Sequence, residues 1–310
     1  MSISNPVLVT GAAGQVGAIG RRIVESLRGQ GIPVRAVVRR EDQRAVELRL
    51  LGAEVVIADL TRPEDVMPAL GSCRRAYFGM SVSASYLEAS LVMAAAARAR
   101  GDFELLVNMS QMTVSQMDLT GMTDSPQQRQ HWLSEQAINW SGVPVTHVRP
   151  TVFQENPFFM SWAAESIAQS DTLRLPFGKG RTSPVAARDL AEVVTALLLD
   201  PAPYVGRALE LTGPRSTDLH GLAEEYASAL GRPIRYRDVP LESWRDGELR
   251  KRGLPDHVFQ HLLTMAEMHA ANRYDRLTDT IESILCRPPT GLRETVSDKK
   301  QLFRSSAPAP

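Results

Sequence analysis

Four glycines fall in phase near the start of the chain, in Val7-Leu8-Val9-Thr10-Gly11-Ala12-Ala13-Gly14-Gln15-Val16-Gly17-Ala18-Ile19-Gly20. They follow a β-branched run and open a helical pattern, which is the context a pyrophosphate site needs. Glycine permits the tight turn and the close approach of backbone N–H groups, and a helix N-terminus stabilises the negative charge. A tight strand-to-helix turn would explain one such glycine but not four. The spacing leaves open which three of Gly11, Gly14, Gly17 and Gly20 touch phosphate. The next β-branched run ends in Val37-Val38-Arg39-Arg40, where an NAD site would present an acidic residue to the adenosine ribose. A guanidinium there suits a 2′-phosphate. The expected cofactor is therefore NADP(H), with Arg39 as first contact, Arg40 as second, and NAD(H) as the alternative; a solvated basic pair is the plainer explanation. Asp59, in Ala58-Asp59-Leu60, either accepts the adenine amino group or starts the turn into the next helix.

Further along, His131 and Glu135 stand four apart in a helical segment and share a face. A histidine with a carboxylate one turn away is a candidate proton donor, and it is equally a common surface pair. Between a strand pattern and that helix lies a long segment carrying Met109, Met112, Met117 and Met122. Methionine is adaptable apolar surface and a loop of this length is more often functional than incidental, so it is expected either to fold over a flat aromatic substrate, with Met112 as a contact, or to pack locally. Phe153, Asn156, Phe158, Phe159 and Trp162 could form a second pocket wall, or core. His257 and His261 have a spacing that can hold a metal, but a third ligand is missing, so no metal site is expected. Asp189 reads as a helix-start residue.

These residues need elements to hold them. Short apolar runs at Val7 to Thr10, Val34 to Val38, Val55 to Ile57, Ala76 to Gly79, Leu105 to Asn108 and Val145 to Val148 alternate with helical patterns near 19–29, 42–50, 63–70, 83–100 and 126–141. Apolar strands separated by helices indicate an α/β fold with a parallel sheet buried on both faces and right-handed crossovers. The helix at 126–141 has the clearest start, with Ser125 as cap, Pro126 in the first turn and Gln128 completing a capping box. Its Leu133, Ala137 and Trp140 fall on one face and are expected to pack on the sheet. After Pro150 the pattern turns irregular, with helices expected near 156–169, 187–199, 217–230, 241–252, 255–271 and 278–286 and strands at Ala208 to Leu211 and Ile234 to Arg237. The expected organisation is a dinucleotide-binding domain over 1–150, a mainly helical substrate lobe over 151–304 interleaved with the sheet, and a flexible tail over 305–310.

Composition bounds the partners. Lys+Arg and Asp+Glu are both 35, so there is no overall field to concentrate the chain on nucleic acid or an anionic membrane. The most apolar helical stretch, Tyr86 to Ala99, is short and contains Glu88 and Arg98, which argues against a membrane span. Cys73 and Cys286 form no paired motif, and the first residues lack a secretory pattern, so a reducing cytoplasm is expected. The expected partner is a small-molecule substrate, with a homo-oligomer compatible.

The glycine loop together with VRAVVRR, GAEVVIADL, HWLSEQAINWSG and VTHVRPTVFQENP resembles the NmrA-like proteins, an atypical branch of the short-chain dehydrogenases/reductases, over roughly 1–240. Within that branch the chain is most similar to bacterial NAD(P)H-dependent quinone or azo reductases, with regulatory dinucleotide sensors as relatives. The resemblance implies a Rossmann-like doubly wound sheet with a small C-terminal lobe. It implies cofactor contacts at Gly11, Ala13, Gly14, Gln15, Val16, Arg39, Asp59 and Leu60, at Gly79, Met80 and Ser81 after the fourth strand, and nicotinamide near Asn108, Ser110 and Arg149-Pro150-Thr151. One departure matters. A tyrosine followed four residues later by lysine, the proton relay of ketone-reducing relatives, is absent from this chain, and the corresponding helix carries His131 and Glu135. Ser110 alone cannot replace the relay. The reading is an NADPH-dependent reductase of small, electron-poor, aromatic or quinoid acceptors with His131 as proton donor, Glu135 orienting it, and Phe153, Asn156 and Trp162 toward substrate; the alternative is a redox sensor that binds dinucleotide without turnover.

Overall fold

Val7, Leu8 and Val9 are all buried, and the strand they form is the axis from which the sheet grows in both directions. The computed structural model describes residues 5–14, 16–123 and 125–304. In chain order the elements are β1 (Val7–Val9), α1 (Ile19–Gly29), β2 (Val34–Val38), α2 (Gln43–Leu50), β3 (Glu54–Ile57), α3 (Pro63–Leu70), β4 (Arg75–Phe78), α4 (Tyr86–Arg100), β5 (Leu105–Met109), α5 (Pro126–Ser141) and β6 (Val145–Pro150). They continue as α6 (Ser161–Ser170), β7 (Thr172–Leu175), α7 (Ala187–Leu199), β8 (Ala208–Leu211), α8 (Leu219–Leu230), β9 (Arg235–Asp238), α9 (Leu241–Trp244), α10 (Asp256–Ala270), α11 (Thr280–Leu285) and α12 (Leu292–Asp298).

Seven strands make a sheet in the order β3-β2-β1-β4-β5-β6-β8. Val7 lies opposite Val34 on one side and Arg75 on the other, both pairings parallel, and Asn108 lies between Phe78 and His147. The chain winds outward from β1 to β3 and then restarts at β4, so the winding reverses between β1 and β4. That switch point, at the carboxyl ends of the strands, is where doubly wound sheets open a ligand crevice. The two strand ends are stitched there: the Thr10 hydroxyl donates to the Gly79 carbonyl and accepts from the Gly79 N–H, each at 2.9 Å.

The chain divides into two compact units, one of 1–149 with 190–210 and one of 150–189 with 211–310. Residues 190–210, placed with the second half in a linear division at 150, return to the first unit because β8 takes the edge beside β6, with Gly206 N–H donating to Val145 and His147 N–H to Arg207. The first unit has a core in which Leu8, Phe78, Met93, Leu106 and Ile138 meet. The second contains a two-stranded parallel sheet, β7 with β9, and an aromatic core around Phe158, with Phe159, Phe177 and Trp244 within about ring-contact distance. No helix among the described residues is long and apolar enough to cross a membrane.

Four expectations need correction. The helix expected from 156 starts at Ser161, because the Asn156 side chain accepts the Phe158 N–H at 3.1 Å and holds a turn. The helix expected over 241–252 is broken after Trp244 into a π-helical turn and a 3-10 turn, with Gly247 in its middle. β7 and α12 were not expected at all. The fourth concerns α5. Leu133 is 40% and Trp140 79% exposed, whereas Gln127, Gln128, His131, Ser134, Glu135 and Ile138 form the buried face. The helix therefore faces the sheet with its polar side, against its apolar periodicity.

Candidate functional site

The glycine loop is shaped partly by the protein's own packing. Gly11 has φ +64°, and a Cβ on it would stand 2.5 Å from the Gly79 carbonyl oxygen, so the loop can lie against the end of β4 only without a side chain. A Cβ on Gly20 would stand 2.7 Å from the Gly11 oxygen and 2.8 Å from Ala12, so Gly20 lets α1 approach the loop. Gly14 and Gly17 lie between these two contacts. Helix α1 has Ala18 at its N-cap position, with no capping side chain and no acidic residue in its first turn, whereas α2, α5 and α8 are capped by Asp42, Ser125 and Asp218. The first N–H groups of α1 thus keep their capacity for an anion. This loop and helix end fit a pyrophosphate. Ala13 has its carbonyl held by Arg44 at 3.0 Å, Val16 is exposed, and Gln15 lies outside the described residues.

Arg39 and Arg40 leave the end of β2 exposed. Their arginine neighbours are committed elsewhere: Arg35 to Glu54, Arg44 to Asp42, Arg49 to Glu41 and Arg62 to Glu64. Arg39 acts electrostatically on Asp59, whose carboxyl is held below its ordinary range first by the Thr61 N–H and hydroxyl and then by that nearby positive charge. Asp59 accepts both Thr61 groups, at 3.0 and 2.8 Å, so its turn-forming role is realised in the fold. Leu60 is half-buried against the first unit's core, Gly79 is buried, Met80 half-buried and Ser81 exposed.

The inward face of α5 meets β5 and β6 in a polar interior. Glu135, 1% exposed, receives both Nε and Nη2 of Arg149. It was expected to orient His131, and the structure gives it to Arg149 instead. His131, 9% exposed, has its ring 4.0 Å from that of Tyr86, tilted by 45°. The Gln127 carbonyl accepts the Ser83 N–H at 3.0 Å, which turns the Gln127 amide nitrogen toward His131 Nε2 at 3.2 Å. The amide N–H donates, so His131 Nε2 is the acceptor of this contact. This burial removes the surface-pair reading of His131 and Glu135.

On the same face of the sheet, the fully buried Asn108 donates to His147 Nδ1 and His147 Nε2 lies 3.0 Å from Asn139 Oδ1. Burial pushes His147 down from its ordinary value, partly opposed by Glu135. The buried Asn108 Oδ1, Ser110 Oγ and Thr113 Oγ1 have no protein partner, an unusual density of unsatisfied groups within six residues, of the kind that marks reactive sites. Tyr86 was missed in the sequence. It is fully buried on α4, and its hydroxyl donates to the Met109 carbonyl at 2.8 Å. Burial, and then the charge of Glu135, hold that hydroxyl protonated far above its ordinary range. A tyrosine in the first turn of an otherwise alanine-rich helix was the available signal.

Met112 is 1% exposed and Met109 and Met117 are also buried, so the methionine segment packs locally and Met112 has no surface to offer a ligand in this form. Its exposed apolar side chains are Leu119 and Met122. In the second unit Phe158 and Phe159 are core, Phe153 is half-buried, Asn156 serves its turn, and the face of Trp162 is covered by the Arg252 guanidinium at 4.4 Å. Pro150 closes β6 and is buried. Asp189 does more than start α7: fully buried, it accepts the Thr290 N–H, the Thr290 hydroxyl and Arg287 Nη2.

A doubly wound parallel sheet with a glycine-rich first turn, an uncapped α1 and two uncommitted arginines after β2 defines a dinucleotide-binding protein of the Rossmann type. The chain matches the NmrA-like family over residues 4–294 and belongs to it. It is 27% identical over 280 residues to an NAD(P)H azoreductase of Xenophilus azovorans, covering 89% of this chain and 92% of that one. It is 29% identical over 297 residues to a (4-alkanoyl-5-oxo-2,5-dihydrofuran-3-yl)methyl phosphate reductase of Streptomyces griseus, covering 96% and 99%. Its fold is shared with the Escherichia coli NADPH-dependent quinone oxidoreductase QOR2 in complex with NADPH, at a TM-score of 0.81 and 21% identity, over 95% and 99% of the two chains.

Proposed function

We propose that this protein transfers hydride from NADPH to a small, electron-poor acceptor of quinoid or azo type, with His131 placing the accompanying proton. The family, and relatives named as reductases, support an NAD(P)H-dependent oxidoreductase. The observation that carries the finer reading is the inward turn of α5, which brings His131 into a polar interior beside β5. Bound NADPH would supply the hydride. The glycine loop and the α1 N-terminus would receive its pyrophosphate, Arg39 and Arg40 would meet the 2′-phosphate, and Asn108 and Ser110 at the end of β5 would face the reacting ring.

An electron-poor acceptor can take up hydride before protonation, whereas a simple ketone needs a proton donor in the transition state. A hydrogen bond from the His131 ring to the developing anion would stabilise it, so no tyrosine–lysine pair is required. Stopped-flow NADPH oxidation against a panel of quinones, azo compounds and simple ketones tests this. Faster turnover of the quinones and azo compounds is expected. NADPH binding without turnover of any acceptor would overturn the reading in favour of a dinucleotide sensor.

A further inference from the structure

Two arginines hold the glycine loop by its carbonyl oxygens. Arg44, in the first turn of α2, donates Nη1 to the Ala13 oxygen, and Arg22, in α1, donates Nε to the Gly17 oxygen, each at 3.0 Å. In a trans peptide the carbonyl and the N–H point opposite ways, so each contact also aims an N–H. The Gly14 N–H, opposite the Ala13 oxygen, meets the Gly11 oxygen at 2.9 Å, and the peptide between Ala13 and Gly14 is thereby fixed at both ends. With the Gly17 oxygen turned to Arg22, the Ala18 N–H at the head of α1 is turned away from it. Glycine by itself would leave both peptides free to rotate, and the guanidiniums remove that freedom. Asp42, the N-cap of α2, takes the other two nitrogens of Arg44, Nε and Nη2, while also accepting the Arg44 backbone N–H at 3.0 Å.

We propose that Arg44 is a positioning residue of the cofactor site, which sets the glycine loop before the dinucleotide arrives and does not itself meet phosphate. This rests on the glycine loop as the pyrophosphate site, and not on the role of His131. Each nitrogen of the Arg44 guanidinium already has an acceptor in the protein, and Asp42 cancels its charge. Arg44 therefore differs from Arg39 and Arg40, which stand exposed beyond β2; to join them at a 2′-phosphate it would have to give up Asp42 or Ala13. The two roles leave opposite signatures. A loop ordered in advance loses less freedom on binding, and the gain is the same for every dinucleotide that carries the pyrophosphate. A contact to the 2′-phosphate instead separates NADPH from NADH.

Fluorescence titration of the full chain with NADPH and with NADH, at low and high salt and at a temperature where circular dichroism shows every variant folded, tests this. The main variant carries Asp42→Asn together with Arg44→Gln, so that both charges leave at once and asparagine still caps α2. It is expected to bind both dinucleotides more weakly by the same factor, about five- to tenfold, below the full worth of a charge-assisted bond because Arg44 is partly exposed. Its salt dependence should match that of the wild type, whereas Arg39→Ala should weaken NADPH selectively and flatten its salt dependence. Asp42→Asn alone keeps the donor to Ala13 and should leave NADH affinity unchanged. A loss confined to NADPH, or a flattened salt dependence, in the main variant overturns the proposal in favour of a phosphate contact. Unchanged affinities, or an equal loss of NADH binding in Asp42→Asn alone, show that the bond to Ala13 does not set the loop. Val16 is 50% exposed on the loop, and Val16→Asp sets a carboxylate against the pyrophosphate; wild-type NADPH affinity in that variant would instead refute the loop as the pyrophosphate site.

Discussion

Replacing Glu135 tests the inverted setting of α5 on which the site reading depends. Its carboxylate is almost fully buried and takes two bonds from Arg149, whose side chain keeps 20% exposure. Glu135→Gln retains one acceptor for Arg149 Nε but loses the charge and the second bond, which costs about 1.5–3 kcal/mol for a charge-assisted pair. Glu135→Ala leaves a guanidinium without its anion. Breaking a buried pair costs about 3–5 kcal/mol, and the partial exposure of Arg149 puts this one near about 3. At roughly 2–4 °C per kcal/mol for a domain of the first unit's size, the expected fall in Tm is about 6–12 °C. Urea denaturation of both single variants and of Glu135→Ala with Arg149→Ala closes a double-mutant cycle, and the double variant should be less destabilised than the sum of the singles by 1 kcal/mol or more. Additive effects, or a Glu135→Gln protein as stable as wild type, would refute the buried pair and return α5 to the orientation its apolar residues suggest.

NADPH should bind more tightly than NADH by about 1–3 kcal/mol, the range for charge-assisted bonds to the extra phosphate, with most of the preference lost in Arg39→Ala and the remainder in Arg40→Ala; fluorescence titration measures it, and equal affinities would remove Arg39 and Arg40 from the site. His131→Ala should lower turnover of a quinone by about 10²–10⁴-fold while NADPH affinity stays within about twofold; unchanged turnover would leave His131 a packing residue against Tyr86. In the second unit, burial pushes His261 down to about 4 and His269, stacked between Phe177 and Tyr274, down to about 3. The unfolded chain takes up protons first as pH falls below about 6.5, so stability is full above that pH and is lost below it, by about 2 kcal/mol per histidine at pH 5. Urea midpoints at pH 7.5 and pH 5 should differ accordingly, and equal midpoints would show these histidines accessible to protons in the native state.

The sheet was legible because its strands are buried on both faces and read as unbroken β-branched runs; Val34–Val38 and Leu105–Met109 differ from expectation by no more than one residue. The glycine loop was legible because backbone geometry leaves so few residues able to fill it. The lining of the reactive end was not, for one physical reason. Periodicity assigns apolar residues to the inside, and α5 places polar residues there, with Glu135 paired to Arg149 on β6 and His131 to Gln127 one turn earlier in the same helix. Nothing local in HWLSEQAINW announces an arginine on the next strand. β7 was missed for a lesser reason: Thr172–Leu175 alternates buried and half-exposed positions over four residues, too short to register against the helices around it.

The clasp around Asp189 sets where the chain can be cut. Its carboxylate, fully buried at the start of α7, is satisfied by Thr290 and Arg287, and the same stretch is gripped by Gln154, which donates to the Thr290 carbonyl and accepts from the Thr295 hydroxyl. A chain ending at Cys286 would lack Arg287 and Thr290 and would strand the Asp189 carboxylate in the interior without these donors. The segment between α11 and α12 thus carries the counterion of Asp189, and a truncation that spares every residue of the dinucleotide loop is still expected to fail to fold.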